Sequence, residues 1–265
     1  MDALALGPLL IALPRLYAAI AALALLLAGM LALRLPVARR ARWFNGALLA
    51  ALLGARLGDV LVHLDSYAQA PLDAFKLWQP GYLPVAGLIA AAAWTAWSLR
   101  DRWPRLVAAE ALLAGAAALW LALMVWNPLG GTSGLSRQPE LTLEDLDGNP
   151  VALAELHGEP LIVNLWATWC GPCRREMPLL ADAAATPGVT VVPINQGESL
   201  LAVARYLDQQ GLDFEHALLD PHQQLLALSA TPGLPTTLVF DAEGRLVERH
   251  VGELGRSQLE AWLAR

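Results

Sequence analysis

Four long apolar runs crowd the first half of this chain: Leu13 to Leu33, Ala47 to Val62, Tyr82 to Leu99 and Val107 to Trp126. Each comes close to the roughly 20 residues a helix needs to cross hydrocarbon. Inside lipid every backbone N–H and C=O must find its partner within the segment, so single apolar runs of this length are read as helices. A hydrophobic content of 56% points the same way, being too high for an ordinary water-soluble chain. The expectation is a four-helix transmembrane bundle over residues 1–127. Its second run carries Arg56 and Asp59, three positions apart and therefore on one helix face. Such a pair belongs inside the bundle, as an ion pair holding two helices together or, as a second reading, for lipid recognition.

The connections orient the bundle. Arg34, Arg39, Arg40 and Arg42 follow the first run, Arg100, Arg102 and Arg105 follow the third, and the second connection offers only Lys76. Arginine-rich connections stay in the cytoplasm, which puts the amino terminus outside and returns the chain to the outside at Asn127. A cleaved signal peptide is excluded as the reading of the first run, because its arginines follow the apolar stretch and none precedes it. Glu110, in the inner part of the last run, is expected to face a neighbouring helix or Arg105.

Charge divides the chain as sharply as hydropathy. There are ten Lys/Arg against six Asp/Glu before Pro128, a formal +4, and eight against eighteen from there on, a formal −10. An acidic second half with no basic stripe excludes nucleic acid as a partner. The five histidines, His63, His157, His216, His222 and His250, are scattered, so no metal site and no cofactor are expected. From Asn127 to Gly134 the chain is a run of turn formers without apolar period, which sets a linker at 128–135 and a second domain at 136–265. Such a tether would keep that domain within tens of Å of the bilayer.

The second domain reads as α/β. Leu141 to Asp145, a turn at Asp147-Gly148 and Val151 to Leu153 predict a hairpin. Leu161 to Trp166 predicts a strand covered on both faces. A helix from Cys173, kinked at Pro178, a strand over Val189 to Ile194 and a helix from Glu198 to Gln210 ending at Gly211 follow. Then come a short helix over Pro221 to Leu228, a strand over Thr236 to Phe240, a turn at Asp241 to Gly244, a strand over Leu246 to Val251 and a helix from Ser257, its cap, to Leu263. This alternation predicts a mixed sheet sandwiched by helices. The only two cysteines, Cys170 and Cys173, stand between the first central strand and its helix, the setting of a thioredoxin-type redox motif. At the helix start, free amides and the helix dipole favour a thiolate at Cys170, the expected nucleophile. Cys173, one turn further in, would resolve the mixed disulfide. Trp166 and Trp169 shield the pair, with Trp166 equally readable as core. Arg174 and Arg175 read as solvated helix-face residues. The bundle has no cysteine, so it can anchor but cannot relay electrons by thiol exchange.

Three stretches carry a resemblance: Val163 to Pro178 (VNLWATWCGPCRREMP), Asn195 to Ser199 (NQGES) and Gly233 to Asp241 (GLPTTLVFD). Over about 125 residues the domain resembles the membrane-tethered thioredoxin-like reductases of the TlpA and ResA type. That resemblance implies a periplasmic thiol-disulfide oxidoreductase of the bacterial inner membrane, usually reducing, with protein disulfides or thiols as substrates. It also implies a separate membrane electron donor of the DsbD/CcdA type. By the same resemblance Pro235 has a cis peptide bond and faces the cysteines, where Leu234, Pro235 and Thr236 present backbone to an extended client. Trp169, Gly171 and Pro172 complete the client-facing rim, and the absence of histidine from the Gly171-Pro172 dipeptide favours a reductase. Where thioredoxins proper have a buried aspartate this chain has Asn164, and the resemblance moves the proton-accepting role to Glu198. A helix-start glutamate favoured by the dipole is the other reading of Glu198.

A second resemblance covers Gly54 to Ile89. Gly54 to Gly58 (GARLG), Tyr67, Pro71-Leu72, Lys76 to Trp78 and Gly87 to Ile89, with Gly7-Pro8 ahead of them, are similar to part of the prolipoprotein diacylglyceryl transferases. Pro84 to Gly87 replaces that family's functional histidine, so the region reads as a repurposed bundle. Alternatives to a reductase are a thiol oxidase or isomerase on the same fold and a lipid-handling membrane protein.

Overall fold

The computed structural model describes residues 3–6, 9–130 and 135–263. The chain divides into two compact units, one spanning Pro14–Pro128 and the other carrying Leu129–Arg265. Gly7, Pro8 and half of the expected linker, residues 131–134, lie outside the described residues. Ahead of the first helix, β1 (Ala3–Leu6) and β2 (Leu9–Ala12) pair antiparallel, a hairpin that the sequence reading does not contain.

The helical unit consists of α1 (Leu13–Ala32), α2 (Val37–Val62), the short α3 (Leu64–Gln69), a 3-10 turn at Pro71–Phe75, α4 (Pro84–Leu99) and α5 (Trp103–Trp126). Among the described residues three helices, α1, α2 and α5, are long and apolar enough to cross a membrane. The third apolar run falls short of its expected length. Its helix starts at Pro84, because proline suits a first helical position while the residue before it, Leu83, is pushed to extended backbone. The resulting 16 residues span about 24 Å at 1.5 Å per residue, less than the roughly 30 Å of a hydrocarbon core.

Small residues explain how α2 and α4 meet. A Cβ at Gly54 would stand 2.5 Å from the Ala90 side chain, one at Gly58 2.4 Å from that of Ala86, and one at Gly87 2.7 Å from the Ala51 carbonyl oxygen. Gly54 and Gly58 are thus a small-xxx-small seam through which two helix backbones approach.

Arg56 and Asp59 are both buried, but each turns to its own partners instead of bridging to the other. Arg56 donates to the carbonyls of Asp73, Ala74, Lys76, Pro80 and Gly81 and lies over the rings of Tyr67 and Tyr82. Asp59 accepts from the Tyr67 hydroxyl at 2.8 Å and lies 3.4 Å from the His63 ring. The expected interhelical ion pair is replaced by a guanidinium clip that shapes the connection between α2 and α4. Five carbonyls in an irregular segment need donors, and a five-donor fork can supply them.

The second unit is built on one seven-stranded sheet in the order β4-β3-β7-β6-β5-β8-β9. Its strands are β3 (Thr142–Asp145), β4 (Pro150–Ala152), β5 (Leu161–Trp166), β6 (Thr190–Gln196), β7 (Leu218–Asp220), β8 (Thr236–Phe240) and β9 (Leu246–Val251). The pairs β5–β6 and β6–β7 are parallel, the others antiparallel. The helices are α6 (Gly171–Ala184), α7 (Leu200–Gln210), α8 (Gln224–Leu228) and α9 (Arg256–Leu263). Every residue of β5 is buried, and the strand feeds two cores alternately: Ile162 and Trp166 enter the one lined by α6, α7 and α9, while Leu161, Val163 and Leu165 enter the one on the opposite face.

Three local expectations shift. Strand β7 went unread because three residues carry no detectable period. Helix α8 starts at Gln224, not Pro221, because the Asp220 carboxylate accepts the N–H groups of Gln224 and Leu225, both at 2.9 Å. Ser257 lies within α9, which begins at Arg256, so it is not the cap.

Candidate active site

Strand β5 ends at Trp166 and α6 begins at Gly171, so four residues make the turn that carries the chemistry. Cys170 occupies the N-cap position, with extended backbone, and its Sγ accepts the N–H of Cys173 at 3.3 Å. Pro172 stands in the first turn of the helix, where its missing N–H costs nothing. Cys170 and Cys173 form a disulfide with a Cα–Cα distance of 5.3 Å. Cys170 is 5% exposed and Cys173 is wholly buried, whereas Trp169 is 70% exposed. Of the two sulfurs, Cys170 is the one an incoming group meets first.

The Leu234–Pro235 peptide bond is cis. Leu234 packs against the core cluster that contains both cysteines, and the Pro235 carbonyl accepts the N–H of Gly252 at 2.9 Å. Thr236 is buried and gives its hydroxyl to the Gly233 carbonyl at 2.7 Å. Its side chain is spent inside the fold, and its backbone lies in β8 between β5 and β9.

Behind the disulfide lies a group that sequence reasoning missed. Glu176 is 1% exposed and sits one turn beyond Cys173, so the two side chains share a helix face. Its Oε1 accepts from Asn164 Nδ2 at 2.8 Å and its Oε2 from the Leu254 N–H at 2.7 Å. Asn164 also donates to Thr237 at 3.0 Å. Burial pushes the Glu176 carboxyl up to about 8, against the opposing pull of those two donors; Glu253 adds to the rise and Arg175 reduces it. The readable signal was periodicity: Cys173, Glu176, Met177, Leu180 and Ala183 are the buried residues of α6, and a carboxylate in such a stripe calls for explanation.

Glu198 is placed differently. It stands in the turn between β6 and α7, and its carboxylate accepts from the Thr168 hydroxyl at 2.5 Å, the Thr168 N–H at 2.7 Å and Asn195 Nδ2 at 2.8 Å. It therefore touches the loop before Cys170. Arg175 is not simply solvated, since it bridges to Glu253 at 2.6 Å, and Arg174 lies 5.7 Å over the Tyr206 ring. Trp166 is fully buried against Tyr206 and in the cysteine cluster, so it is core and shield at once. Among the described residues no group of three or more His, Cys, Asp or Glu could hold a metal ion.

The family model described as Redoxin matches residues 135–263. ResA thiol-disulfide oxidoreductases align with the same half of the chain. The one from Bacillus thuringiensis (strain Al Hakam) is 33% identical over 128 residues, 47% of this chain and 73% of that protein. The one from Bacillus subtilis (strain 168) is 33% identical over 131 residues, 48% and 73% respectively. This chain belongs to the ResA family of thiol-disulfide oxidoreductases. Among solved structures, a putative thiol:disulfide interchange protein DsbE from Chlorobium tepidum aligns at 27% identity over 49% of this chain and 94% of that one, with a TM-score of 0.45.

A disulfide stands at a helix N-terminus, one sulfur at the surface and one sealed. An exposed indole precedes it, and a buried carboxyl waits one turn behind. The match stops at residue 135, so the helical unit lies outside it.

Proposed function

We propose that this chain is a membrane-anchored, periplasmic reductase of protein disulfides, working through Cys170 and Cys173. One observation carries the reading: the disulfide occupies the N-cap of α6 with Cys173 sealed and a buried Glu176 one turn behind it. Four helices of the first unit, including the short α4, anchor the chain in the inner membrane. The arginines of the α1–α2 and α4–α5 connections keep those ends in the cytoplasm and the redox unit outside. Domain limits of 1–127, 128–135 and 136–265 go with this topology.

In the reduced form the Cys170 thiolate attacks a client disulfide, forming a mixed disulfide and releasing one client thiolate. Cys173 gives its proton to the Glu176 carboxylate and attacks Cys170 Sγ; the second client thiolate leaves and the Cys170–Cys173 disulfide closes, two electrons having passed to the client. Recharging runs in reverse: a donor thiolate attacks Cys170, Cys173 leaves, and Glu176 returns the proton. A carboxyl near 8 is matched to a thiol, whose ordinary value is about 8.5, so the proton moves either way with little driving force lost. The sequence expectation gave this task to Glu198; its three donors bind that carboxylate to the Thr168 loop, and Glu176 is better placed for it. Leu234, ahead of the cis bond, offers its backbone to an extended client strand, since Pro235 has no N–H and its carbonyl is taken by Gly252. A bundle without cysteines needs a separate membrane donor, of the DsbD/CcdA type, to supply the electrons.

The test is a Cys173→Ser variant expressed in the envelope. Mixed disulfides should accumulate on Cys170 and vanish with added Cys170→Ala. Absence of captured protein under both reducing and oxidising growth would overturn the reading.

A further inference from the structure

We infer that Glu198 and Thr168 form a positioning pair that fixes the loop in front of Cys170 and so sets how Trp169 meets a protein client. The inference deepens the proposed reading and rests on Cys170 as the attacking sulfur.

The Cys170 N–H donates to the Ala167 carbonyl at 3.2 Å, closing a four-residue turn whose two central members are Thr168 and Trp169. Both ends of this turn, Ala167 and Cys170, are buried in the core cluster, while Trp169 projects 70% of its surface. The direction of the indole is therefore decided by the backbone of the two central residues. Thr168 is the one that is held. Its N–H and its hydroxyl both go to Glu198, one to each carboxylate oxygen. A bidentate contact to a charged group fixes orientation as well as distance.

Glu198 is itself anchored from behind. Asn195 Nδ2 donates to its carboxylate, and the Glu198 N–H donates to Asn195 Oδ1 at 3.2 Å. The preceding Gly197 has φ +85 and donates its N–H to the Asp220 carbonyl at 3.0 Å. That backbone conformation lies in the left-handed region, so the turn favours glycine. The clamp thus transmits the rigidity of β6 and β7 to a loop thirty residues earlier. An indole held in one direction presents a prepaid surface to a client, whereas a swinging one must be ordered at binding. A protein client that covers Trp169 feels the difference; a small disulfide that touches only sulfur feels it much less.

The experiment uses the full chain in detergent and two probes: insulin with dithiothreitol as reductant, and dithiobis(nitrobenzoate) mixed with the pre-reduced chain after dithiothreitol has been removed. Losing a hydrogen bond to a charged group commonly costs about tenfold or more in an equilibrium. Glu198→Ala is expected to raise KM for insulin about tenfold, with kcat changing less than about twofold and the rate with dithiobis(nitrobenzoate) falling much less than kcat/KM for insulin. Glu198→Gln, which keeps an acceptor oxygen for the Thr168 N–H, should recover most of the loss. Thr168→Val, which removes only the hydroxyl, should lose part of it, and the double variant should be no worse than Glu198→Ala alone. Should Glu198→Ala fail to fold, the Glu198→Gln and Thr168→Val variants must still show the KM effect. Equal loss with both probes, a displaced pH midpoint of the rate, or no change at all would overturn the inference. Failure of the unsubstituted chain to reduce either probe would instead strike the oxidoreductase reading beneath it.

Discussion

Glu176→Gln isolates the buried acid. Burial lifts Glu176 from 4.5 in the unfolded chain to about 8 in the folded one. Below pH 4.5 both states hold the proton and the contribution is complete. Between 4.5 and 8 the unfolded chain releases its proton and the folded chain keeps it, so stability falls by about 1.4 kcal/mol per pH unit. Above 8 both are ionised and the curve flattens. Over that window the loss reaches as much as about 5 kcal/mol, comparable with the whole stability of many domains. The glutamine cannot titrate, and the otherwise unpartnered Asn164 Oδ1 gives its amide an acceptor after a side-chain flip. Urea unfolding of oxidised residues 135–263, a segment with two core clusters of its own, would be followed by circular dichroism from pH 4.5 to 9. The unsubstituted segment should lose stability steeply up to about pH 8, while Glu176→Gln stays nearly level over that range. Parallel curves for the two would refute the buried-acid reasoning, since only a titrating Glu176 distinguishes them.

Two further outcomes concern the helical unit. Gly54→Val places a branched side chain where a single Cβ already meets Ala90 at 2.5 Å; overpacking of about 1–3 kcal/mol should lower the thermal midpoint in detergent by several degrees. Arg56→Gln strips several of five carbonyls of their donor, at a cost on the order of 3 kcal/mol, and should open residues 71–83 to proteolysis, read by mass spectrometry of the fragments.

Elements with a strong period were legible before any coordinates. Strand β5 and strand β8 fall on the expected residues because a strand buried on both faces is a mostly apolar, β-prone run. Helix α7 ends at Gly211, whose φ of +62 is the left-handed position glycine favours. Cys170 and Cys173 are joined in a disulfide, and the Leu234–Pro235 bond is cis, as the resemblance implied. What escaped depends on tertiary partners. Arg56 and Asp59 share a helix face, as their spacing says, yet spacing is silent about carbonyls supplied by residues 73–81. The start of α4 was set by Pro84 and by Leu83, whose N–H goes back to the Ala55 carbonyl at 2.9 Å, not by where apolar residues begin.

The two glutamates of the site differ in what surrounds them, which motif position alone does not reveal. Both are carboxylates near the cysteine pair in the fold, one in the helix after the disulfide and one in the turn that follows the neighbouring strand β6. Glu198 meets three donors, two of them from Thr168, which tie its carboxylate to the loop before Cys170. Glu176 meets two donors in a sealed apolar core where burial outweighs them, leaving its charged and neutral forms close in free energy near neutral pH. A proton relay needs that near-balance, and a positioning strut needs fixed partners. Dividing the two tasks between two acids lets the site exchange protons at Cys173 without loosening the loop that presents Cys170.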